Sequence, residues 1–374
     1  MKRKLRILEV NKAYYPHVGG IESLVKQYAE SFSEKSDLIV LVCRDGRGRT
    51  INEKIGGAKI IRSGSFGTYF SCPLSVSFIK NFRRLSQKSD VIHINMPFPL
   101  ADVALLLSGY KGKVVISWHS DVVKQKKLMF FYKPIMMKLL KRADLIITAT
   151  QGHIDSSPYI SKFREKCQVI PYGINIRDYL SIDKRPILTE LLKNKSSVKV
   201  FFTGRLVYYK GVDVLLRAFH NVHNCELFIA GTGTLETSLK EYAENHNMHN
   251  VHFMGFMPDD DLKCAFADCD IFVLPSVANS EAFGIVQLEA MVYSKPVINT
   301  ALPTGVPHVS VDGVSGITVE PSSPIKLANA INMLAGDRNL RESYGRNAFR
   351  RVHDIFDSGK VLDEVFEALT GGNV

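Results

Sequence analysis

IFVLPSVANSEAFGIVQLEAMVYSKPVINT, residues 271–300, reads as a strand, a turn, a helix and a second strand. IFVLPS (271–276) and PVINT (296–300) are short apolar runs bounded by turn residues, and the periodic segment 284–293 between them is helical. A unit of this kind belongs to a parallel sheet covered by helices. The same alternation runs along the whole chain. Upstream strands are expected at 5–10, 38–43, 91–94, 114–119, 145–150 and 167–170. Further strands are expected at 198–204, 225–231 and 251–255, with helical patterns such as 21–33, 211–222 and 234–246 between them. The expected class is therefore α/β, and 374 residues suit two doubly wound domains. The stretch 178–195 lacks a strong strand, which predicts a first domain over 1–180 and a second over 186–354. The amphipathic segment 355–374 is expected to fold back onto the first. Two such halves would face each other across a cleft, with ligands at the carboxyl ends of both sheets.

Charge is divided unevenly between the halves. Residues 1–185 hold 32 Lys/Arg and 15 Asp/Glu, a net +17, whereas the remainder of the chain is net acidic at −6. The first half is thus expected to meet an anionic partner. KQKKLMFFYKPIMMKLLKR (124–142) has seven basic residues, no acid and an apolar side, the pattern of a helix lying on an anionic membrane surface. An ordinary helix with a solvated basic face carries the same pattern. The six cysteines are scattered with no CxxC, which argues for reduced thiols and against zinc or disulfides. No apolar run is long enough for a signal peptide or a spanning helix, so the expected location is cytoplasmic.

Within 280–290, SEAFGIVQLEA, Glu281 falls in the loop and Gly284 near the start of the helix. The N–H groups of Phe283, Gly284, Ile285 and Val286 would be first-turn donors suited to an anion. Glu289 lies eight residues beyond Glu281, about 12 Å along a helix, and two carboxylates at that spacing suit the hydroxyls at either end of a nucleotide sugar. TGRLVYYKG (203–211) puts Arg205 and Lys210 at the end of the strand 198–204, where two cations can neutralise a diphosphate. Gly19 and Gly20 precede the helix that carries Glu22, a pair able to form a backbone nest for phosphate. His119 ends the strand 114–119, with Asp121 two residues on to orient its imidazole. Asp259, Asp260 and Asp261 match a metal-binding DxD spacing, but after Pro258 and before a periodic run they are expected to cap a helix.

Together these motifs resemble the retaining family-four glycosyltransferases of the GT-B fold, built from two Rossmann-like domains. The matches are GGIE (19–22), His119 after a strand, GRL (204–206) with KG (210–211), IAGTG (229–233), and the pair Glu281 and Glu289. The resemblance implies that Arg205 and Lys210 bind the donor diphosphate and act in catalysis with Glu281 and His119. It further implies that Glu281 holds sugar hydroxyls, Glu289 the ribose, and Phe283, Gly284 and Ile285 the donor through their backbone. Gly20 would face the phosphates, and Met254, Phe256 and Met257 would bracket the base. HSDVVKQKKLM (119–129) and TGVPHVSVDGVSGITV (304–319) look most like bacterial O-antigen mannosyltransferases, which use GDP-mannose and a lipid-diphosphate-linked saccharide acceptor. One departure is PYGIN (171–175), where the family often has PNG.

The implied reaction is hexosyl transfer with retention, in lipopolysaccharide or other surface-polysaccharide biosynthesis. It needs no cofactor and no metal, and Lys124, Lys126 and Lys127 would serve the acceptor and the inner leaflet of the plasma membrane. A UDP-sugar donor and a GT-B sugar-nucleotide epimerase are the alternatives. A nucleic-acid-binding protein is a distant one, disfavoured because no recognised binding pattern appears and the second half is acidic. An NAD enzyme is disfavoured because the first βα turn lacks GxGxxG.

Overall fold

The computed structural model describes residues 3–17, 19–69, 72–121 and 126–371, with the backbone alone over 126–129. The first sheet has eight strands: β1 (Arg6–Val10), β2 (Asp37–Cys43), β3 (Ile51–Ile55), β4 (Ala58–Ser63), β5 (Val91–Met96), β6 (Lys113–Trp118), β7 (Leu145–Thr148) and β8 (Cys167–Val169). Their order is β8-β7-β6-β5-β1-β2-β4-β3, parallel throughout except for β3 against β4. All six residues of β5 are buried, as a strand covered on both faces requires.

The second sheet has six strands: β9 (Val198–Thr203), β10 (Cys225–Ala230), β11 (Val251–Gly255), β12 (Ile271–Val273), β13 (Val297–Thr300) and β14 (Gly316–Val319). They lie in the order β11-β10-β9-β12-β13-β14, all parallel. In each sheet the chain winds outward in one direction, returns to the centre and winds the other way. The reversals fall between β1 and β5 and between β9 and β12, where crevices form at the carboxyl ends of strands.

The chain divides into one unit of Met1–Pro171 with Val361–Val374 and a second of Tyr172–Lys360. The first division falls earlier than the expected 180–186, because the segment after Pro171 is tied into the second unit. The Ile174 N–H donates to Phe356 at 2.8 Å, and the Tyr293 hydroxyl donates to the Tyr179 carbonyl on the short helix Ile176–Leu180. The later division also differs from the expected 354/355. The helix Arg338–Ile355 and the turn after it stay with the second unit, through the Ser358 N–H to Ile174. From Val361 the last helix belongs to the first unit. There Lys35 pairs with Asp363 at 2.5 Å, Phe366 packs on Phe32, and the Lys113 ammonium donates to the Ala368 carbonyl.

Candidate functional site

The reversal of the second sheet sets the loop after β9 beside the loop after β12. From the first come Arg205 and Lys210; from the second comes Glu281. The Lys210 ammonium lies 2.6 Å from Glu281 Oε2, and the two side chains are 12% and 11% exposed. The Ser276 hydroxyl donates to the same carboxylate oxygen at 3.0 Å. Arg205 is exposed and donates to the Tyr209 hydroxyl at 3.1 Å, while the Lys210 ammonium stands 5.7 Å from the Tyr209 ring centre. Two cations therefore flank one tyrosine at the sheet's switch point, one open to solvent and one neutralised by a carboxylate.

Backbone geometry locks these loops together. Gly211 has φ +66°, and a Cβ there would stand 2.1 Å from the Pro275 carbonyl oxygen. Only glycine allows so close an approach. The Val277 N–H also donates to the Tyr209 carbonyl at 2.8 Å.

The SEAFG turn differs from expectation at its helix. The helix runs Val286–Val292, so Gly284 lies in the turn before it, at φ +72°, rather than inside the first turn. Among the described residues the N–H groups of Phe283, Gly284, Ile285 and Val286 have no backbone partner. Gln287 is fully buried and fastens the turn, its amide donating to the Phe283 and Val306 carbonyls at 3.2 Å each. Glu289 sits on the helix and accepts from the Tyr179 hydroxyl at 3.1 Å. Burial pushes its carboxyl up to about 7, against the pull of that hydrogen bond. The Tyr172 ring of PYGIN packs edge-on against Phe283 at 4.9 Å, so this departure from the family pattern supports the turn.

Met254 lies within β11, and Phe256 and Met257 lie in the loop after it, Phe256 78% exposed and Met257 half-buried. The three aspartates do not cap the helix as expected. They form the first turn of helix Asp259–Asp268, but the cap position is Pro258 and none makes the cap hydrogen bond. Asp259 pairs instead with Lys263 at 2.6 Å and Asp261 with Arg185 at 2.5 Å. Acids in a first turn still favour the helix dipole.

In the first unit, His119 follows β6 and is buried, its Nε2 2.9 Å from Asn95 Oδ1. Burial and the neighbouring His93 and His153 hold its imidazole down to about 3, so the ring is neutral at physiological pH. Asp121 does not orient it: that carboxylate accepts from the Trp118 indole at 3.0 Å and the Ser157 hydroxyl at 2.7 Å. Gly20 is the first residue of helix Gly20–Lys35, and a Cβ there would meet open space. At Gly19 a Cβ would stand 2.2 Å from the Glu22 carboxylate, the end of a flexible side chain that can move aside.

The basic segment forms the helix Lys126–Arg142. Lys124 lies outside the described residues, and Lys126 and Lys127 occupy its first turn. Met136, Leu139 and Leu140 are buried in the core, and Tyr132 donates to the buried Asp102. Phe130 and Phe131 are 78% and 74% exposed. Among the described residues no helix is long and apolar enough to cross a membrane.

Ser276, Tyr209, Tyr179, Gln287 and Asn95 were not foreseen from the sequence. Asn95 alone left a trace there, as a second polar residue two places after His93 in an apolar strand.

Comparison with known proteins gives the family. The model described as Glycosyltransferase Family 4 matches residues 18–178, and that described as Glycosyl transferases group 1 matches 183–351. The chain is 30% identical to O-antigen chain mannosyltransferase C of Escherichia coli over 96% of both chains. It is 31% identical to D-rhamnosyltransferase WbpZ of Pseudomonas aeruginosa over 94% of this chain and 92% of that one. Among solved structures, Anabaena Alr3699/HepE in complex with UDP superposes with a TM-score of 0.79 at 21% identity, covering 98% of this chain and all of that one. WaaG, a glycosyltransferase involved in lipopolysaccharide biosynthesis, gives 0.70 at 19% identity, with 98% of this chain and 100% of that chain covered. With relatives of this identity along nearly its whole length, the chain belongs to the family-four glycosyltransferases, and its fold is GT-B.

Proposed function

We propose that the protein is a retaining hexosyltransferase of O-antigen assembly, moving mannose from GDP-mannose to a lipid-diphosphate-linked saccharide. The observation that carries this reading is the cluster at the second sheet's reversal, where Arg205, Lys210 and Glu281 converge. In the reaction the acceptor hydroxyl attacks on the face from which the diphosphate leaves, and the departing phosphate takes its proton. Arg205 and Lys210 stabilise the charge that develops on the leaving group, an interaction stronger in the transition state than in the ground state. Glu281 holds sugar hydroxyls, and Glu289 holds the ribose. The N–H groups of 283–286, without a backbone partner among the described residues, offer the phosphates further donors. His119 lies near the transferred sugar. Phe256 and the methionines beside it bracket the base.

The mannose donor is supported by the Escherichia coli relative. A second reading, a D-rhamnosyl donor, is favoured by the 31% identity to the Pseudomonas relative, against 30% to the Escherichia coli one. D-rhamnose is mannose without its 6-hydroxyl, so one site framework suits both. A lipid-linked acceptor and a peripheral site on the inner membrane face are supported by the exposed Phe130 and Phe131 beside a run of lysines.

The test is thermal stabilisation by GDP-mannose, GDP-D-rhamnose and UDP-glucose. A donor at a hundred times its Kd adds about 2.7 kcal/mol. GDP-mannose is expected to give the largest shift. A larger shift with UDP-glucose would overturn the donor assignment, and no shift with any nucleotide sugar would overturn the site.

A further inference from the structure

The two carboxyl oxygens of Glu289 have different surroundings. Oε1 accepts from the Tyr179 hydroxyl at 3.1 Å, and among the described residues Oε2 accepts no hydrogen bond. A carboxylate accepts at both oxygens and more than once at each, so a single phenol leaves most of that capacity for a ligand. Glu289 is half-buried on the helix Val286–Val292, where an acceptor left without a donor is costly.

Tyr179 is held by more than the five-residue helix that carries it. The Tyr293 hydroxyl donates to its carbonyl, and the two rings meet edge-on with centres 6.3 Å apart. The Lys263 ammonium stands 5.4 Å from the Tyr179 ring centre, and that lysine pairs with Asp259 at 2.6 Å. Carbonyl, ring and hydroxyl are each engaged by a different residue. A phenol fixed in this way has little freedom to swing, and it sets the plane of the carboxyl it holds.

Tyr179 also bears on the charge of Glu289. Burial and the nearby Glu289 keep the phenol's proton far above the ordinary tyrosine value, so it remains a donor. At the carboxyl the influences oppose one another. Burial and Asp259 favour the neutral form, while the Tyr179 hydrogen bond, Lys263 and Lys210 favour the charged one. Tyr179 is the strongest of those three. A charged carboxyl accepts from hydroxyls at both oxygens, whereas a neutral one turns one oxygen into a donor. The charged form is therefore the match for a vicinal diol whose hydroxyls both donate.

We propose that Tyr179 is the positioning residue that presents Glu289 to the ribose hydroxyls of the nucleotide donor. The inference rests on reading Glu289 as the group that holds the ribose. Tyr179 itself does not touch the sugar. It occupies Oε1, fixes the plane of the carboxyl and favours its charged form, so that a ribose hydroxyl finds an acceptor at Oε2.

The experiment is calorimetric titration with GDP, 2′-deoxy-GDP and 3′-deoxy-GDP, and with the UDP series in parallel, on both sides of neutral pH. Within one series the ratio of Kd values reads the ribose contact, because base and phosphates are common to all three. Wild type is expected to prefer the ribonucleotide over the weaker deoxy form by roughly tenfold or more, the scale of a hydrogen bond to a charged group. That preference should grow as pH rises through about 7, where Glu289 becomes charged. Tyr179→Phe removes the hydroxyl and keeps the ring and the backbone carbonyl that Lys263 and Tyr293 engage. In this variant the preference at neutral pH should shrink to about threefold or less, and its growth should move to higher pH. Glu289→Ala should show almost no preference at any pH. If wild type has no preference, or Glu289→Ala keeps it, the reading of Glu289 falls and the proposal with it. If Glu289→Ala loses the preference while Tyr179→Phe retains it with the wild-type pH profile, the proposal alone is overturned. Equal weakening of ribo- and deoxynucleotides in Tyr179→Phe also overturns it, since a phenol that only braced the fold would act on all of them alike.

Discussion

Glu281→Gln keeps the size of the side chain and removes the charge that Lys210 faces. The pair is 2.6 Å apart with about nine-tenths of both side chains covered, so the ammonium is left in a poorly solvated place without its counter-ion. Breaking a buried pair from one side costs about 3–5 kcal/mol. The glutamine oxygen still accepts hydrogen bonds and a little solvent reaches both groups, which brings the expected cost to about 2 kcal/mol. In a unit of this length that lowers the melting temperature by roughly 4–8 °C. A nucleoside diphosphate brings the missing negative charge. If it recovers about 1.4 kcal/mol of the penalty, it binds about tenfold more tightly to the variant than to wild type. Calorimetric melting and titration with GDP and UDP measure both effects. Transfer should nevertheless fall, because in the proposed reaction Glu281 also holds the sugar. An unchanged melting temperature together with weaker diphosphate binding would refute the reasoning and leave Glu281 with no electrostatic hold on Lys210.

Arg205 is exposed and bonds only the Tyr209 hydroxyl among the described side chains, so Arg205→Ala should melt within about 0.5 kcal/mol of wild type. Its kcat should fall by about a hundredfold or more, and near-normal turnover at saturating donor would remove Arg205 from the reaction. Glu289 is raised to about 7 by burial, so its contribution to stability is complete below the unfolded carboxyl pKa and is lost as pH rises through 7. Glu289→Gln does not titrate and should gain on wild type across that window by on the order of 2 kcal/mol, whereas parallel melting profiles would mean that the carboxyl stays ionised. Replacing Lys124, Lys126 and Lys127 with Gln should weaken binding to anionic liposomes by about 1 kcal/mol per charge. Equal binding of wild type and variant at low salt would return these lysines to a solvated helix face.

The fold was legible because buried parallel strands are nearly continuous apolar runs, and IFVLPS, VKVFFTG and VIHI carry that signature in full. The edge strand Ile51–Ile55 was not, since INEKI is exposed and polar and forms only by pairing antiparallel with Ala58–Ser63. The helix expected at 284 begins at 286 because Gly284 takes a left-handed conformation, which periodicity does not report. At the candidate site the charged residues could be named from their spacing. Their partners could not. Tyr179 reaches Glu289 across 110 positions, and Ser276 reaches Glu281 only because the loop doubles back. Asp121 looked like the orienting group for His119 because it is close in sequence. Asn95 Oδ1 instead lies 2.9 Å from its Nε2 because neighbouring strands bring them together, although the alternation of His93 and Asn95 within an apolar run was a readable sign of buried polar pairing.

The close approach of Gly211 to the Pro275 carbonyl has a consequence for engineering. The segments 204–211 and 275–281 are separated by more than sixty residues of sequence, yet their backbones touch where no side chain can intervene. A graft that imports the cation-bearing loop from a relative will inherit that relative's spacing against a foreign partner, and the 2.6 Å contact of Lys210 with Glu281 depends on that spacing. Donor specificity is therefore best exchanged by transplanting both segments as one cassette. Libraries that randomise one segment alone will be dominated by misaligned loops rather than by altered sugar preference.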